Sequence, residues 1–272
     1  MRATVLCLCA MPLFSATPTP PPASARLPEC RAAAADTVDV PLGSPLVSGE
    51  HMSAFTTHLA VTRVTATGEA PQQDGTNAIS FADSGGVRLV RVRSLSRVTT
   101  PNGPADVRVD FAFDRRSLAL REMRSTSPRG EMRLRAESDA VDVTMPTPAG
   151  PRSARLVLST PGFYAPWSDF VVEELPHVLG RTYRLRLWQP APGPDGPTLR
   201  EETHLYTFAA REDVEVFGRT QARAWVVEDH GADGALLGRM WIVDGAPKLV
   251  RWTILNSDGS SVRIDQELAR EP

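Results

Sequence analysis

The feature that most constrains the fold is a run of short alternating segments in the last quarter of the chain, residues 203–268. Turn residues separate the segments: Phe217-Gly218, the stretches 229–234 and 256–259, and Asp244-Gly245 supply the Gly, Asn and Asp that tolerate the positive φ of tight hairpins. Between the turns lie stretches of strand length, rich in Val, Ile, Trp and Thr. This pattern predicts a meander, in which each strand pairs with the one before it.

The same alternation runs through the earlier part of the chain. In residues 107–113, Val and Phe at the odd positions alternate with Arg, Asp and Ala at the even ones, which is the clearest strand pattern of the protein. We interpret residues 68–77 as a polar, glycine-containing gap between two strands. The short and regular spacing predicts a mainly β fold, a strongly curved antiparallel sheet or an incomplete β-barrel.

One stretch, residues 163–175, is more apolar and aromatic than the rest. Within it, Ser168 to Leu175 is predicted to form one short helix that Pro176 ends. The proline-rich stretch 146–151 is interpreted as a loop, because the strand pattern resumes at Ala154 and neither half of the chain shows a complete core of its own. We therefore predict a single β-rich domain over residues 38–268.

The N-terminus predicts export from the cytoplasm. Arg2 precedes an apolar run that is too short to span a bilayer, and Ala23-Ser24-Ala25 has the small-x-small pattern of a cleavage site. We predict a signal peptide over residues 1–25, a mobile lead-in over residues 26–37, and a periplasmic or secreted mature protein without a transmembrane segment. Cleavage after Ala25 leaves Cys30 as the only cysteine, so no internal disulfide is expected.

Charge excludes one class of partner. The formal net charge is -2, and acidic and basic residues are interspersed along the chain. A nucleic-acid groove needs a basic excess on one face. We therefore expect no nucleic-acid partner.

The sequence carries no recognisable catalytic or metal-binding constellation. Its histidines are scattered singly rather than in metal-ligand spacing, and they are His51, His58, His177, His204 and His230. Asp83-Ser84-Gly85 has the letters of an aspartic protease motif, but that chemistry needs a second such motif, so we interpret it as a hairpin turn. The acidic stretch of Glu228, Asp229 and Asp233 is interpreted as a solvated hairpin tip. We predict no catalytic residue, no metal, no cofactor and no enzymatic activity.

The C-terminal part of the chain contains several segments that recur together in one family. Leu175-Pro176 followed by Gly180 matches a Leu-Pro-x-x-x-Gly approach, and Trp241-Ile242 followed by Leu249-Val250 matches a closing hairpin. These segments resemble exported bacterial proteins of the domain of unknown function 3108 family, over about the last third of the chain. The resemblance implies a fold like that of the LolA/LolB-like lipoprotein carriers of the periplasm, a curved antiparallel sheet whose apolar concave face wraps a helix or lid. It implies no catalytic residue.

The aromatic residues near the C-terminus have apolar neighbours on both sides. A strand that is apolar on both faces has to be covered on both. The aromatic rings either belong to an ordinary core or line a cavity for an apolar ligand. The candidate ligand-lining residues are Tyr183, Trp188, Trp225, Trp241 and Trp252.

Two functions follow from these patterns. The first is a non-catalytic cell-envelope protein that binds or carries an apolar, lipid-like ligand in its curved sheet. The alternative is a structural or assembly factor that binds another envelope protein through a sheet edge. An edge without protective charge or proline favours the alternative.

Overall fold

The computed structural model describes residues 37–269, which form one large sheet around a single short helix. The helix, α1, spans Ser168–Glu173, and short 3-10 turns lie at Gly49–His51 and Ala165–Trp167. The strands are β1 (Thr37–Val40), β2 (Phe55–Thr65), β3 (Gly68–Ser84), β4 (Val87–Thr100), β5 (Gly103–Asp114), β6 (Leu120–Ser127), β7 (Gly130–Ala136), β8 (Ala140–Met145), β9 (Arg152–Val157), β10 (Phe163–Tyr164), β11 (Thr182–Pro192), β12 (Pro197–Val216), β13 (Arg219–Gly231), β14 (Leu236–Ile242), β15 (Leu249–Leu255) and β16 (Ser261–Leu268).

Two meanders make up the sheet, β2 to β9 and β11 to β16. The strand order is β1-β11-β12-β13-β14-β15-β16-β2-β3-β4-β5-β6-β7-β8-β9, so the last strand joins the two meanders by pairing with β2. All of these neighbours are antiparallel except β1, which pairs with β11 in parallel, as does the short β10. The predicted fold class is confirmed: the molecule is a curved, open antiparallel sheet with one short helix.

Hairpin register aligns the apolar positions into rows across the sheet. One row crosses β4 to β8, where each residue is the direct partner of the next; its members are Val92, Phe111, Met123, Leu134 and Val143. All of them are buried in the main core. Side chains alternate between the faces of a strand, so the intervening positions face outward. There Arg93 Nε donates to Asp110 Oδ1 at 3.0 Å, an exposed contact. The predicted alternation thus separates a core face from a charged outer face.

The sheet does not close into a barrel. Strand β9 approaches the first residues of β12, but the two strands are not paired. A side-chain contact spans this seam, because the backbone N–H of Ser159 donates to Glu201 Oε1 at 2.9 Å. The seam is therefore held by side chains rather than by a hydrogen-bonded ladder.

The structure corrects one predicted boundary and shifts another. Residues 68–77, interpreted above as a gap, are the first part of β3, which pairs with both β2 and β4. The polar side chains of this stretch gave no strand signal, although its backbone pairs with β2 and, from Gln73 onward, also with β4. The predicted helix is present but ends at Glu173, because the N–H groups of Glu174 and Leu175 bond three residues back and tighten the last turn.

Other predictions are confirmed or lie beyond the described part of the chain. Residues 83–86 form the predicted hairpin turn, in which Gly85 and Gly86 have φ values of 58° and 81°. The predicted signal peptide, residues 1–25, and the lead-in up to residue 36 lie outside the described residues. Across residues 37–269 the one α-helix is far too short to cross a membrane.

Candidate functional site

The concave face of the sheet is covered by residues 163–175, a segment that we call the plug. The plug consists of β10, the 3-10 turn and α1, and it pairs with the sheet only through Phe163 and Tyr164 on β11. Its apolar side chains are almost completely buried, and they are Phe163, Tyr164, Trp167, Phe170, Val171, Val172 and Leu175. The predicted apolar stretch is therefore a cover for the inside of the sheet.

On one side, the plug packs against the inner face of β4 to β8, which we call the apolar wall. Phe111 of this wall contacts Trp167 edge-on, with ring centroids 4.9 Å apart, and Phe113 contacts Phe170 at 6.3 Å. Trp167 and Phe170 stack on each other at 4.9 Å. The buried polar side chains of these strands are serines, and none is charged. Aromatic packing holds the plug on this side.

On the other side the plug meets a polar cluster in which Tyr206 and Asp229 are buried and Glu202 and His204 are partly buried. We call this cluster the polar wall; Glu202, His204 and Tyr206 belong to β12, and Asp229 belongs to β13. The Nδ1 atom of His204 lies 2.7 Å from Asp229 Oδ1, and its Nε2 atom lies 3.3 Å from Glu202 Oε2. The Tyr206 hydroxyl donates to Ser168 Oγ of the plug at 3.2 Å. Register places these residues on the core face, since Tyr206 pairs directly with Tyr183 and Asp229.

Burial and hydrogen bonding compete in setting the charges of the polar wall. Burial alone lowers the pKa of His204, but its contacts with Asp229 and Glu202 outweigh burial and raise the pKa to about 9. Burial raises the pKa of Asp229, although a charged histidine should lower it. A distance of 2.7 Å between His204 Nδ1 and Asp229 Oδ1 requires a proton between the two atoms, and we assign that proton to His204. Burial raises the pKa of the Tyr206 hydroxyl as well, with Asp229 adding to the effect.

The plug brings two more buried carboxyl groups to this side. Asp169 and Glu173 lie one helical turn apart on α1, and each is less than one-tenth exposed. Burial raises the pKa of Asp169 to about 7 and raises that of Glu173 well above its usual value. The carboxylate of Asp169 accepts hydrogen bonds from backbone N–H groups. Its Oδ1 atom, however, has no hydrogen-bond partner among the described residues.

A tryptophan with an unpaired N–H lies next to the polar wall. The indole of Trp252 packs over Gly238, the direct cross-strand partner of Asp229: a Cβ atom at Gly238 would lie 3.3 Å from Trp252 Nε1 and 2.5 Å from a backbone oxygen. Glycine at this position therefore makes room for the ring. Within residues 37–269, Nε1 of Trp252 finds no hydrogen-bond acceptor, nor does that of Trp167. Buried polar atoms of this kind are rare in native structures.

A few polar contacts hold the two ends of the plug. Before the plug, Trp188 Nε1 donates to the carbonyl of Gly162 at 3.0 Å. At the C-terminal end of the plug, the Tyr183 hydroxyl donates to the carbonyl of Pro176 at 2.6 Å, and Lys248 Nζ donates to Glu174 Oε1 at 2.5 Å. Polar contacts thus attach the plug at both ends, and further contacts are made by Ser168 with Tyr206 and by the Glu173 carbonyl with Lys248.

The structure divides the predicted ligand-lining residues between two faces. Tyr183, Trp188, Trp225 and Trp252 all pack on the main core around the plug. Trp241 does not, because it lies against the smaller cluster that the end of the β12-β13 hairpin covers. Its Nε1 atom donates to Glu212 of that hairpin at 2.7 Å. Trp241 is therefore removed from the candidate lining, while the other four remain a prediction.

Sequence reasoning missed the polar wall. Asp229 was interpreted as part of a solvated tip, but it is only 4% exposed and contacts His204. The signal that would have found it is alternation: Asp229 is two residues after the buried Val227, so both lie on the core face of β13. The partner histidine is 25 residues away along the chain, so no local spacing reveals the pair.

Two depressions open on the surface, one on the outer face of the sheet and one at the seam near the start of the plug. A groove of about 1,110 Å³ lies along the outward-facing side chains of β2 to β6, including Leu95, Arg97 and Arg108. A smaller cleft of about 220 Å³ lies at the seam, beside Ser159 and Glu202. Within residues 37–269, no group of three or more His, Cys, Asp or Glu side chains is arranged to hold a metal ion.

No family model and no curated protein matches the chain. Among solved structures, the chain is similar to a β-barrel-like protein of the domain of unknown function DUF1849 from Brucella abortus. The two are 13% identical, the match covers 80% of this chain and 98% of that chain, and the TM-score is 0.40. The resemblance to the domain of unknown function 3108 family and to LolA/LolB-like carriers stays a prediction.

Proposed function

We propose that the protein is a non-catalytic binding protein of the cell envelope, which takes an apolar, lipid-like molecule on the concave face of its sheet. The observation that carries this proposal is the plug itself. The inner face is largely apolar and aromatic apart from the polar wall, and it is covered by a short segment instead of by a second sheet. The plug acts as a lid under which the ligand lies.

The attachment of the plug supports this role. It shares strand pairing with the sheet only at its first residues, Phe163 and Tyr164. The seam between β9 and β12 lies beside its N-terminal end and contains no paired strands. Outward movement of the plug would therefore break side-chain contacts and a two-residue pairing, while the long hairpin ladders stay intact. Segments with so few backbone bonds to their surroundings open at low free-energy cost.

The alternative, a partner bound through a sheet edge, is less well supported. Strand β9 is a free edge, and Val157 at its end is 73% exposed. However, Pro151 precedes the strand, and Arg152 and Arg155 lie on it. Charge and proline are the features by which proteins prevent edge pairing. The edge therefore lacks the unprotected character that would favour this function.

Native mass spectrometry with organic extraction tests the proposal. The mature protein, purified from a Gram-negative periplasm, should carry a stoichiometric lipid-like molecule, and its removal should change the tryptophan fluorescence. A protein that is empty and also takes up no neutral apolar probe, such as N-phenyl-1-naphthylamine, would sink the carrier function and leave the partner-binding alternative.

A variant that weakens the plug's C-terminal attachment sharpens the test. Lys248→Ala removes the contact with Glu174 and should speed probe uptake severalfold, because the lid is held less firmly. Arg97→Ala is the matched control, since Arg97 makes an exposed contact with Asp106 on the outer face. Equal uptake rates in the two variants would contradict a lid role for the plug.

A further inference from the structure

The charges around the plug point to the chemistry of the ligand's polar end. Carboxyl groups lie on both sides of the contact between α1 and the polar wall: Asp169 and Glu173 are buried on the helix, and Asp229 is buried and Glu202 half-buried on the strands. The basic groups there are already engaged: His204 lies between Asp229 and Glu202, Arg200 pairs with Glu202, and Lys248 contacts Glu174. This side of the concave face therefore has more acceptors than cations.

An unsatisfied atom within this group points to a ligand. Asp169 is 6% exposed, and its Oδ1 atom has no hydrogen-bond partner among residues 37–269. Asp169 lies next to the polar wall, because the adjacent Ser168 accepts a hydrogen bond from the Tyr206 hydroxyl. Leaving a buried carboxylate oxygen unpaired is costly, whereas a cationic donor would satisfy both its charge and its hydrogen-bonding capacity.

We propose that the apolar ligand carries a primary ammonium head group, which lies between α1 and the polar wall and donates hydrogen bonds to Asp169 and Glu173. This inference rests on the proposed function, and it adds the class of ligand, a cationic amphiphile. The head group supplies the donors that Asp169 Oδ1 lacks. The apolar chain of the ligand lies against the aromatic residues beneath the plug.

Three amphiphiles with the same alkyl chain test this inference. Dodecylammonium, dodecanol and dodecanoate are titrated below their micelle-forming concentrations at pH 8, with tryptophan fluorescence as the readout. Dodecylammonium should bind at least tenfold more tightly than dodecanol, and dodecanoate should bind most weakly. Dodecyltrimethylammonium, which has the charge but no N–H donor, should lose much of the advantage if hydrogen bonds to the carboxylates provide it.

Variants assign the preference to the named carboxylates. Asp169→Asn and Glu173→Gln keep the shape of each side chain, and both should reduce the preference for dodecylammonium over dodecanol to less than threefold. Asp106→Asn is the control, because Asp106 is an exposed carboxylate on the outer face. A cooperative thermal unfolding transition and an unchanged circular dichroism spectrum establish that each variant is folded.

Each outcome of the titration is decisive. Similar affinities for all three amphiphiles would overturn the head-group inference and leave the carrier function standing. A preference for dodecylammonium that survives in Asp169→Asn and Glu173→Gln would also overturn it, since the cation would then bind elsewhere. Binding of none of the amphiphiles would overturn both the inference and the proposed function.

Discussion

The two walls of the concave face are built on the same strand architecture but carry different chemistry. The apolar wall presents a row of aliphatic and aromatic residues, and none of its buried side chains is charged. The polar wall presents a glutamate, a histidine, a tyrosine and an aspartate at equivalent core positions. The apolar wall therefore fixes the plug by packing. On the polar wall, the charge of the residues next to the plug depends on their protonation. Apolar packing and protonation-dependent contacts thus lie on opposite sides of one helix.

Of the changes considered, truncating a side chain of the apolar wall should lower the free energy of unfolding the most. Phe111→Ala removes a ring that contacts Trp167, Tyr164 and Phe113. We expect unfolding free energy to fall by about 3–5 kcal/mol, the usual cost of a large cavity in an aromatic core. Urea unfolding measures the change. Leu95→Ala, at a position that is 47% exposed, is the control and should cost less than about 0.5 kcal/mol. Similar losses in both variants would show that the plug does not depend on this wall.

Asp169 of the plug should make stability depend on pH. Burial raises its folded pKa to about 7, above the unfolded value, so its contribution is fully present below about pH 4 and is lost as pH rises through 7. The loss reaches up to about 4 kcal/mol at 1.36 kcal/mol per pKa unit. Asp169→Asn should lack this loss and be more stable than the wild type at pH 8.

Urea unfolding at pH 4, 6 and 8 measures the effect of Asp169. The matched variant Asp106→Asn should keep the wild-type profile, because Asp106 is exposed. A wild-type protein whose stability is constant across this range would contradict the burial of an uncompensated carboxyl group.

His204 extends the same trend to higher pH. Burial lowers the folded pKa of His204, but the hydrogen bonds that it donates to Asp229 and Glu202 outweigh burial and raise that pKa to about 9. Its contribution to stability is therefore present below about pH 6.5 and is lost as pH rises through 9. The loss reaches up to about 3 kcal/mol. His204→Gln should flatten the stability profile between pH 6.5 and 9. His51→Gln, at an exposed site, serves as the control, and a flat wild-type profile would be evidence against the ion pair.

The smallest effect is expected outside both walls. Trp241→Phe removes the hydrogen bond to Glu212, and we expect a loss of about 0.5–1.5 kcal/mol. Hydrogen exchange should become faster in residues 212–218 and stay unchanged in the plug. Faster exchange in the plug would show that the outer cluster and the concave face are coupled, which would weaken the separation between the walls.

Local pattern was sufficient for the apolar wall and insufficient for the polar one. Alternation in residues 107–113 predicts both the strand and its core face, because each side chain has a defined side once the backbone is extended. Asp229 and His204 carry no such signal by residue type, since a polar residue in a strand usually faces solvent. Their burial depends on a partner from another strand, and only the three-dimensional arrangement supplies that partner.

The faces of the aromatic residues could be predicted only in part, for a similar reason. Trp225 and Trp241 have apolar neighbours on both sides, so sequence alone does not assign their faces. The difference comes from the end of the β12-β13 hairpin, which folds over the outer face and gives Trp241 its own apolar cover. Coverage of an outer face by a distant hairpin is a tertiary event that strand periodicity does not encode.

The pairing of β16 with β2 has a consequence for how the chain acquires its structure. Synthesis begins at the N-terminus, so β2 emerges long before its partner, which is the final strand of the sheet. The first meander then has an exposed edge, ready to pair with another molecule, until almost the whole chain has been made. The sheet gains its continuity from contacts between the most distant parts of the sequence, which form slowly because a long loop must close first. The risk of aggregation is therefore greatest until β16 has been made and has paired with β2.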